Sequence, residues 1–152
     1  MTEPAIRETT VTPERVWEVL ADGWSFPSWV VGAARVRAVD PRWPEVGARI
    51  HHSVGLWPLL LDDETEVMDA NPAHKLRLHA RAWPFGLAEV EVRLRGDAAG
   101  SRIEMTEHAI SMPTRWIPRV IQARAVMPRN RECLRRLALI AERETDSAEP
   151  TS

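Results

Sequence analysis

From Arg35 to Ile110 the chain is written in six short runs whose apolar and polar residues alternate: Arg35–Asp40, Ala48–Ser53, Asp62–Met68, Lys75–Ala82, Leu87–Arg95 and Arg102–Ile110. Alternation with a period of two is what a strand with one buried and one wet face requires. The breaks carry Pro41 and Pro44, Gly55 and Pro58, Asn71 and Pro72, Pro84 and Gly86, and Gly96 to Gly100, residue types that turn a chain. The pattern therefore predicts a series of hairpins in one antiparallel sheet with a covered face. At Pro118 the period becomes helical and holds to Arg143. Val120, Ala123, Val126, Met127, Cys133, Leu134, Leu137 and Ala141 fall on one broad stripe, with arginines and Glu142 opposite. Pro128 lies inside that helix, removes one backbone bond and is expected to kink it.

Ahead of the sheet, Ala5 to Thr10 alternates well enough for a first strand. Thr12 before Pro13 and Glu14 reads as a helix cap with proline in the first turn, and the helix runs to Ala21 with Val16, Trp17 and Leu20 on its apolar face. Gly23 ends it. Ser25, Pro27 and Ser28 predict a second, very short helix carrying Trp29 and Val30, broken by Gly32.

Two segments carry a family likeness: Val11 to Val31, VTPERVWEVLADGWSFPSWVV, and Arg129 to Ala138, RNRECLRRLA. With the alternating region between them, the chain resembles the START-like (SRPBCC) superfamily, the bacterial polyketide cyclase/dehydrase and lipid transport group. The resemblance implies an α+β helix-grip fold of the Bet v 1-like kind. In that fold a seven-stranded antiparallel sheet wraps around a long C-terminal helix, two short helices follow the first strand, and the helix closes the concave face over a ligand cavity. Members of the group include aromatic cyclases and binders of hormones and lipids, so the likeness implies a fold more narrowly than a ligand.

At 152 residues the chain is long enough for one self-sufficient domain, expected over residues 1–144, with Thr145 to Ser152 as a disordered polar tail. The single Cys133 leaves no partner for an internal disulfide, and the N-terminus has no apolar run resembling a signal peptide, so a cytoplasmic location is expected. Apolar stretches such as Leu56 to Leu61 fall well short of the roughly 20 residues that span a bilayer. A net charge of −2 indicates neither nucleic acid nor a polybasic membrane anchor as partner. No phosphate-cradling glycine loop, CxxC pair or HExxH is present, and adjacent His51 and His52 point to opposite faces of a strand, so no cofactor or metal is expected.

Register can be tested on both faces at once, because it must place apolar residues together inside and complementary charges together outside. Setting Ile50 opposite Thr65 puts Ala48 against Val67 inside and Arg49 against Glu66 outside. The next hairpins are expected to set Val67 with Leu76, Thr65 with Leu78, Leu78 with Val90, Leu76 with Val92, Val92 with Met105 and Leu94 with Ile103. Outside, this yields Glu66 with Arg77, Asp62 with Arg81, Arg77 with Glu91, His79 with Glu89 and Arg93 with Glu104, a solvated charge ladder that Arg95 opposite Arg102 interrupts.

On the inner face the same register continues a row from His52 and Asp63 through Ala80, Ala88 and Ala109. Small side chains under a covering helix leave room for a ligand. The strands are expected to contribute Ile50, Leu61, Thr65, Leu78, Ala80, Ala88, Val90, Met105 and Ala109, and the C-terminal helix Val120, Ala123, Met127 and Asn130. Trp29 and Trp57 join them from the loops, where tryptophans either ring a mouth or anchor turns. The apolar hairpin tip from Leu56 to Leu61 is a candidate lid, with Met112 to Trp116 across from it.

Three ionisable groups, His52, Asp63 and Glu107, share the inner face and need partners. Asp63 beside His52 would fix the imidazole tautomer and raise its basicity, and Glu107 would pair with Arg124 or Arg131 of the helix or act as an acid. Besides a partner protein whose apolar hairpin tip docks on another chain, two functions follow. One is a binder of a small hydrophobic molecule, a lipid or polyketide-like aromatic. The other is a cyclase or dehydratase with His52 as base, Asp63 as its orienting partner and Glu107 as acid.

Overall fold

The computed structural model describes residues 3–54, 61–81, 86–111, 116 and 118–147. Strand β1 (Ala5–Thr9) leads into helix α1 (Pro13–Ala21), a single 3-10 turn (Gly23–Ser25) and the four-residue helix α2 (Phe26–Trp29). Six strands follow: β2 (Ala33–Val39), β3 (Arg49–Val54), β4 (Leu61–Asn71), β5 (Lys75–Arg81), β6 (Leu87–Asp97) and β7 (Gly100–Ala109). Helix α3 (Arg119–Ser147) closes the chain. The seven strands form one antiparallel sheet in the order β1-β7-β6-β5-β4-β3-β2. This is the helix-grip fold: a meander from β2 to β7, β1 added beside β7, and α3 across the inner face.

Local chemistry accounts for the entry into the fold. Thr12 caps α1 by accepting a hydrogen bond from the Arg15 N–H at 3.3 Å, and Pro13 occupies the first turn, where its missing N–H costs nothing. Asp22, with an extended backbone, ends α1, and Gly23 opens the next turn where there is no space for a side chain, since a Cβ there would lie 2.6 Å from Val39. Trp43 is buried and donates its indole N–H to the Leu20 carbonyl at 3.1 Å, so it anchors the β2–β3 connection to α1. Trp24 and Trp116 are exposed.

The core is strongest where α3 meets the sheet. Leu134, Leu137, Ala138 and Ala141 are fully buried in one cluster with Val16, Leu20, Val92, Leu94 and Ile103. Thr9 Oγ1 donates to Glu142 at 2.7 Å and ties β1 to the same end of the helix. α3 continues through Pro128 and through Thr145 to Ser147, so the polar tail expected from Thr145 begins as helix. The last residues, 148–152, lie outside the described part.

The expected register holds from β5 to β7 and between β3 and β4, including Arg49 with Glu66, Arg77 with Glu91 and the opposed Arg95 and Arg102. Between β4 and β5 it does not. Val67 faces Leu78 and Thr65 faces Ala80, two residues along from the expected Val67–Leu76 and Thr65–Leu78. Two features combine to cause this: the turn sets Asn71 opposite Lys75, three positions from the expected register, and a β-bulge between Val67 and Asp69, where Met68 is an extra residue on the outside, takes one of those positions back. β4 therefore runs on to Asn71 instead of ending at Met68, and the hairpin closes through Pro72–His74 with Ala73 at a φ of +62°. On the outer face Glu66 then meets His79, and Arg77 reaches Asp69 at 3.9 Å.

Candidate functional site

Between the short helices, the inner face of the sheet and the middle of α3 lies a cavity of about 40 Å³. Its apolar walls are Phe26, Trp29 and Val30 from α2 and its end, Leu78, Ala80, Val90 and Met105 from the sheet, and Cys133 from α3. Four polar side chains share it: Thr65, Glu107, Arg129 and Asn130. Phe26 and Trp29 pack edge to face with ring centroids 5.5 Å apart, which stiffens the α2 wall.

The turn and the bulge together decide which residues meet here. They make the small-residue row Thr65–Ala80–Ala88–Ala109, where the simple register predicts Asp63 and His52 at its head. Thr65, fully buried, takes that place, and His52 reaches the row only through it: His52 Nε2 and Thr65 Oγ1 share a hydrogen bond of 2.8 Å. The imidazole is 4% exposed and stacks on Phe26 at a centroid distance of 5.4 Å. Its Nδ1 is buried without a hydrogen-bond partner.

His52 and Asp63 are cross-strand neighbours, as the register predicts. Asp63 is buried, and its carboxylate accepts from the Glu64 N–H at 2.9 Å. The electrostatic outcome is opposite to expectation. Burial pushes the His52 pKa below its ordinary value, and the upward pull of Asp63 does not overcome it. His52 is thus held neutral, a weak base that is unprotonated at pH 7.

Glu107 does pair with α3, through Arg129 rather than Arg124 or Arg131, both of which are exposed. One guanidinium nitrogen of Arg129 donates to both Glu107 oxygens, at 2.9 and 2.8 Å, while Nε donates to the Val31 carbonyl at 3.0 Å. One turn on, Cys133 Sγ accepts from the Val31 N–H at 3.3 Å. Both backbone groups of Val31 are therefore held by α3. Burial raises the Cys133 thiol pKa above its ordinary value, and the Val31 N–H only partly opposes this.

Of the residues expected to line a pocket, Trp29, Thr65, Leu78, Ala80, Val90, Met105 and Asn130 meet around this cavity. Ile50 is fully buried in the core, and Ala88 and Ala109 continue the small-residue row beyond the cavity walls. Met127 is half-buried against the core. Val120 is corrected: it is 65% exposed, near the start of α3, where Ile121, Arg124 and Ala125 are exposed as well. Trp57, the lid from Leu56 and most of its facing segment from Met112 lie outside the described residues, as do the side chains of Leu61 and Ala123. Phe26, Val30, Arg129 and Cys133 are additions that the pattern did not place in the pocket. The spacing 129, 130, 133 was the available signal, since it puts these residues on one side of a helix. Among the described residues no group of His, Cys, Asp and Glu is placed to hold a metal ion, and no helix is long and apolar enough to cross a membrane.

A family model described as polyketide cyclase/dehydrase and lipid transport matches residues 5–142. No curated protein matches the chain in sequence. Solved structures do match in shape. A protein from Nitrosomonas europaea is similar at a TM-score of 0.73 and 14% identity, over 96% of this chain and 97% of that one. The di-domain ARO/CYC protein StfQ of the steffimycin biosynthetic pathway is similar at 0.73 and 12% identity, over 95% of this chain and 51% of its own. Ara h 8.0201 is similar at 0.66 and 10% identity, over 94% and 98%. At these identities the likeness is one of fold.

Proposed function

The chain belongs to the polyketide cyclase/dehydrase and lipid transport family of the START-like superfamily, and from that premise we propose that it binds a small hydrophobic molecule between the sheet and α3. The observation that carries this reading is the cavity itself: eight apolar side chains and four polar ones converge there from α2, four strands and α3. Its free volume, about 40 Å³, holds water but no lipid, so binding must widen it. The ligand's own contacts then replace those given up between α2, the sheet and the helix.

The test is to fill the space. Ala80→Phe should abolish binding of the uncharged apolar dye Nile red while leaving the thermal transition in place. Equal dye binding by the variant would locate the ligand elsewhere. Native mass spectrometry of protein purified from its own host would identify what co-purifies.

A second reading, acid–base catalysis of the cyclase or dehydratase type, draws on one observation: the buried, neutral His52 has an unused Nδ1 and touches a cavity residue through Thr65. In this reading His52 removes a proton, Asp63 supports the imidazolium, and Glu107 must leave Arg129 to act. His52→Ala would then lower turnover by roughly two to four orders of magnitude. In a binder it shifts affinity only modestly.

A further inference from the structure

We propose that the cavity's occupant is an uncharged apolar molecule bearing a hydroxyl group, and that Asn130 is the residue that reads it. The proposal rests on the binding reading above and names its ligand class. Asn130 lines the cavity and is 4% exposed, yet its side-chain oxygen Oδ1 is buried with no hydrogen-bond partner. Buried polar atoms in folded proteins are almost always paired, and an orphaned acceptor destabilises the protein that carries it. No neighbouring donor is turned toward it. Arg129, the adjacent residue, directs Nη1 to Glu107 and Nε to Val31, and the Cys133 sulfur is itself an acceptor for Val31.

The charges of the lining narrow the choice further. Arg129 and Glu107 are the ionic groups among the described lining residues, and they neutralise one another through two hydrogen bonds. A carboxylate ligand would bring a buried charge with no free cation to meet it, and would face the lone pairs of Oδ1. A bare hydrocarbon would leave Oδ1 unsatisfied. An alcohol or phenol donates its O–H to Oδ1 while the remainder packs on Phe26, Trp29, Leu78 and Met105. In the empty state the space admits a water that can donate to the same oxygen, and a ligand hydroxyl takes over that bond when it displaces the water.

The experiment uses the full chain and three probes that share one ring system: 2-naphthol, its methyl ether and 2-naphthoate. Each is titrated at pH 7 by calorimetry, with the Trp29 indole N–H and Asn130 side-chain amide signals followed by NMR to locate the ligand. The expected order is naphthol tightest, by about tenfold over the methyl ether, with naphthoate weakest. Asn130→Leu should remove the naphthol's tenfold advantage and leave the ether's affinity unreduced. Methyl ether or naphthoate binding as tightly as naphthol at these signals would overturn the hydroxyl assignment while leaving the binding reading intact. Unchanged naphthol affinity in Asn130→Leu would do the same. Absence of binding by all three would overturn both. If Asn130→Leu does not fold, the ranking of the three probes on the unaltered protein decides.

Discussion

The two ends of the inward-facing stretch of α3 from Arg129 to Ala141 are built for different purposes. From Leu134 to Ala141 the inward residues are aliphatic or alanine, fully buried against Val16, Leu20, Val92, Leu94 and Ile103. A turn or so earlier, Arg129, Asn130 and Cys133 present a guanidinium, an amide and a thiol to a space that is not filled. Interiors are close-packed, so one end gains its stability from density, whereas the other gives up contacts, pairs Arg129 with Glu107 and Val31, and leaves Asn130 Oδ1 open. The difference teaches that within one helix, stability and recognition are carried by adjacent turns, and that a change in one turn should register mainly in one property.

The sharpest way to break that division is Leu137→Ala. Leu137 has no exposure, so the variant should lose about 2–5 kcal/mol in urea unfolding while the folded fraction keeps the affinity of the parent for an apolar dye. A parallel loss of affinity would mean that the two ends act as one. At the cavity end, Glu107→Gln removes the charge that holds Arg129 and should cost about 1–3 kcal/mol by the same assay, less than the core change because Arg129 is partly exposed. An unchanged midpoint would show that the pair is not held in solution.

His52 sharpens the comparison through pH. Its folded pKa lies below the ordinary 6.5, so between the folded and unfolded values the unfolded chain binds more protons. The stabilisation is therefore complete above the unfolded value and is lost as pH falls through it toward the folded one. His52→Phe should flatten the decline of the melting temperature between pH 7.5 and pH 5, and an identical slope would refute the buried neutral imidazole. The smallest effect belongs to neither end. Arg49→Ala on the outer face, where Glu64 and Glu66 lie 3.5 Å away and the side chain is half-exposed, should change stability by under about 0.5 kcal/mol.

How far the sequence reveals this arrangement depends on where periodicity is interrupted. β5, β6 and β7 alternate without a break, and their pairings follow directly from the pattern. At Met68 and Asp69 two successive residues lie on the outer side, which in sequence looks like the end of a strand but is a bulge inside one. Moving one register by two residues kept every face correct and still exchanged Asp63 for Thr65 in the row that enters the cavity. On the helix, the apolar stripe predicts which side turns inward but not which turn meets packed core and which meets space. Arg129 is legible as a helix residue, and its grip on Val31 depends on a connection whose path no periodicity encodes.

The lone sulfur adds a consequence of its own. The reactive form of a cysteine is the thiolate, and in Cys133 the thiol is favoured by burial while the sulfur is covered by the Val31 N–H. Modification by an alkylating reagent must therefore wait for α2 to part from α3. Its rate at saturating reagent becomes a clock for that parting, readable on the unmodified protein because the chain has no other thiol to confuse the count. Any molecule that lodges between the two helices slows the clock, whatever its own spectroscopic properties.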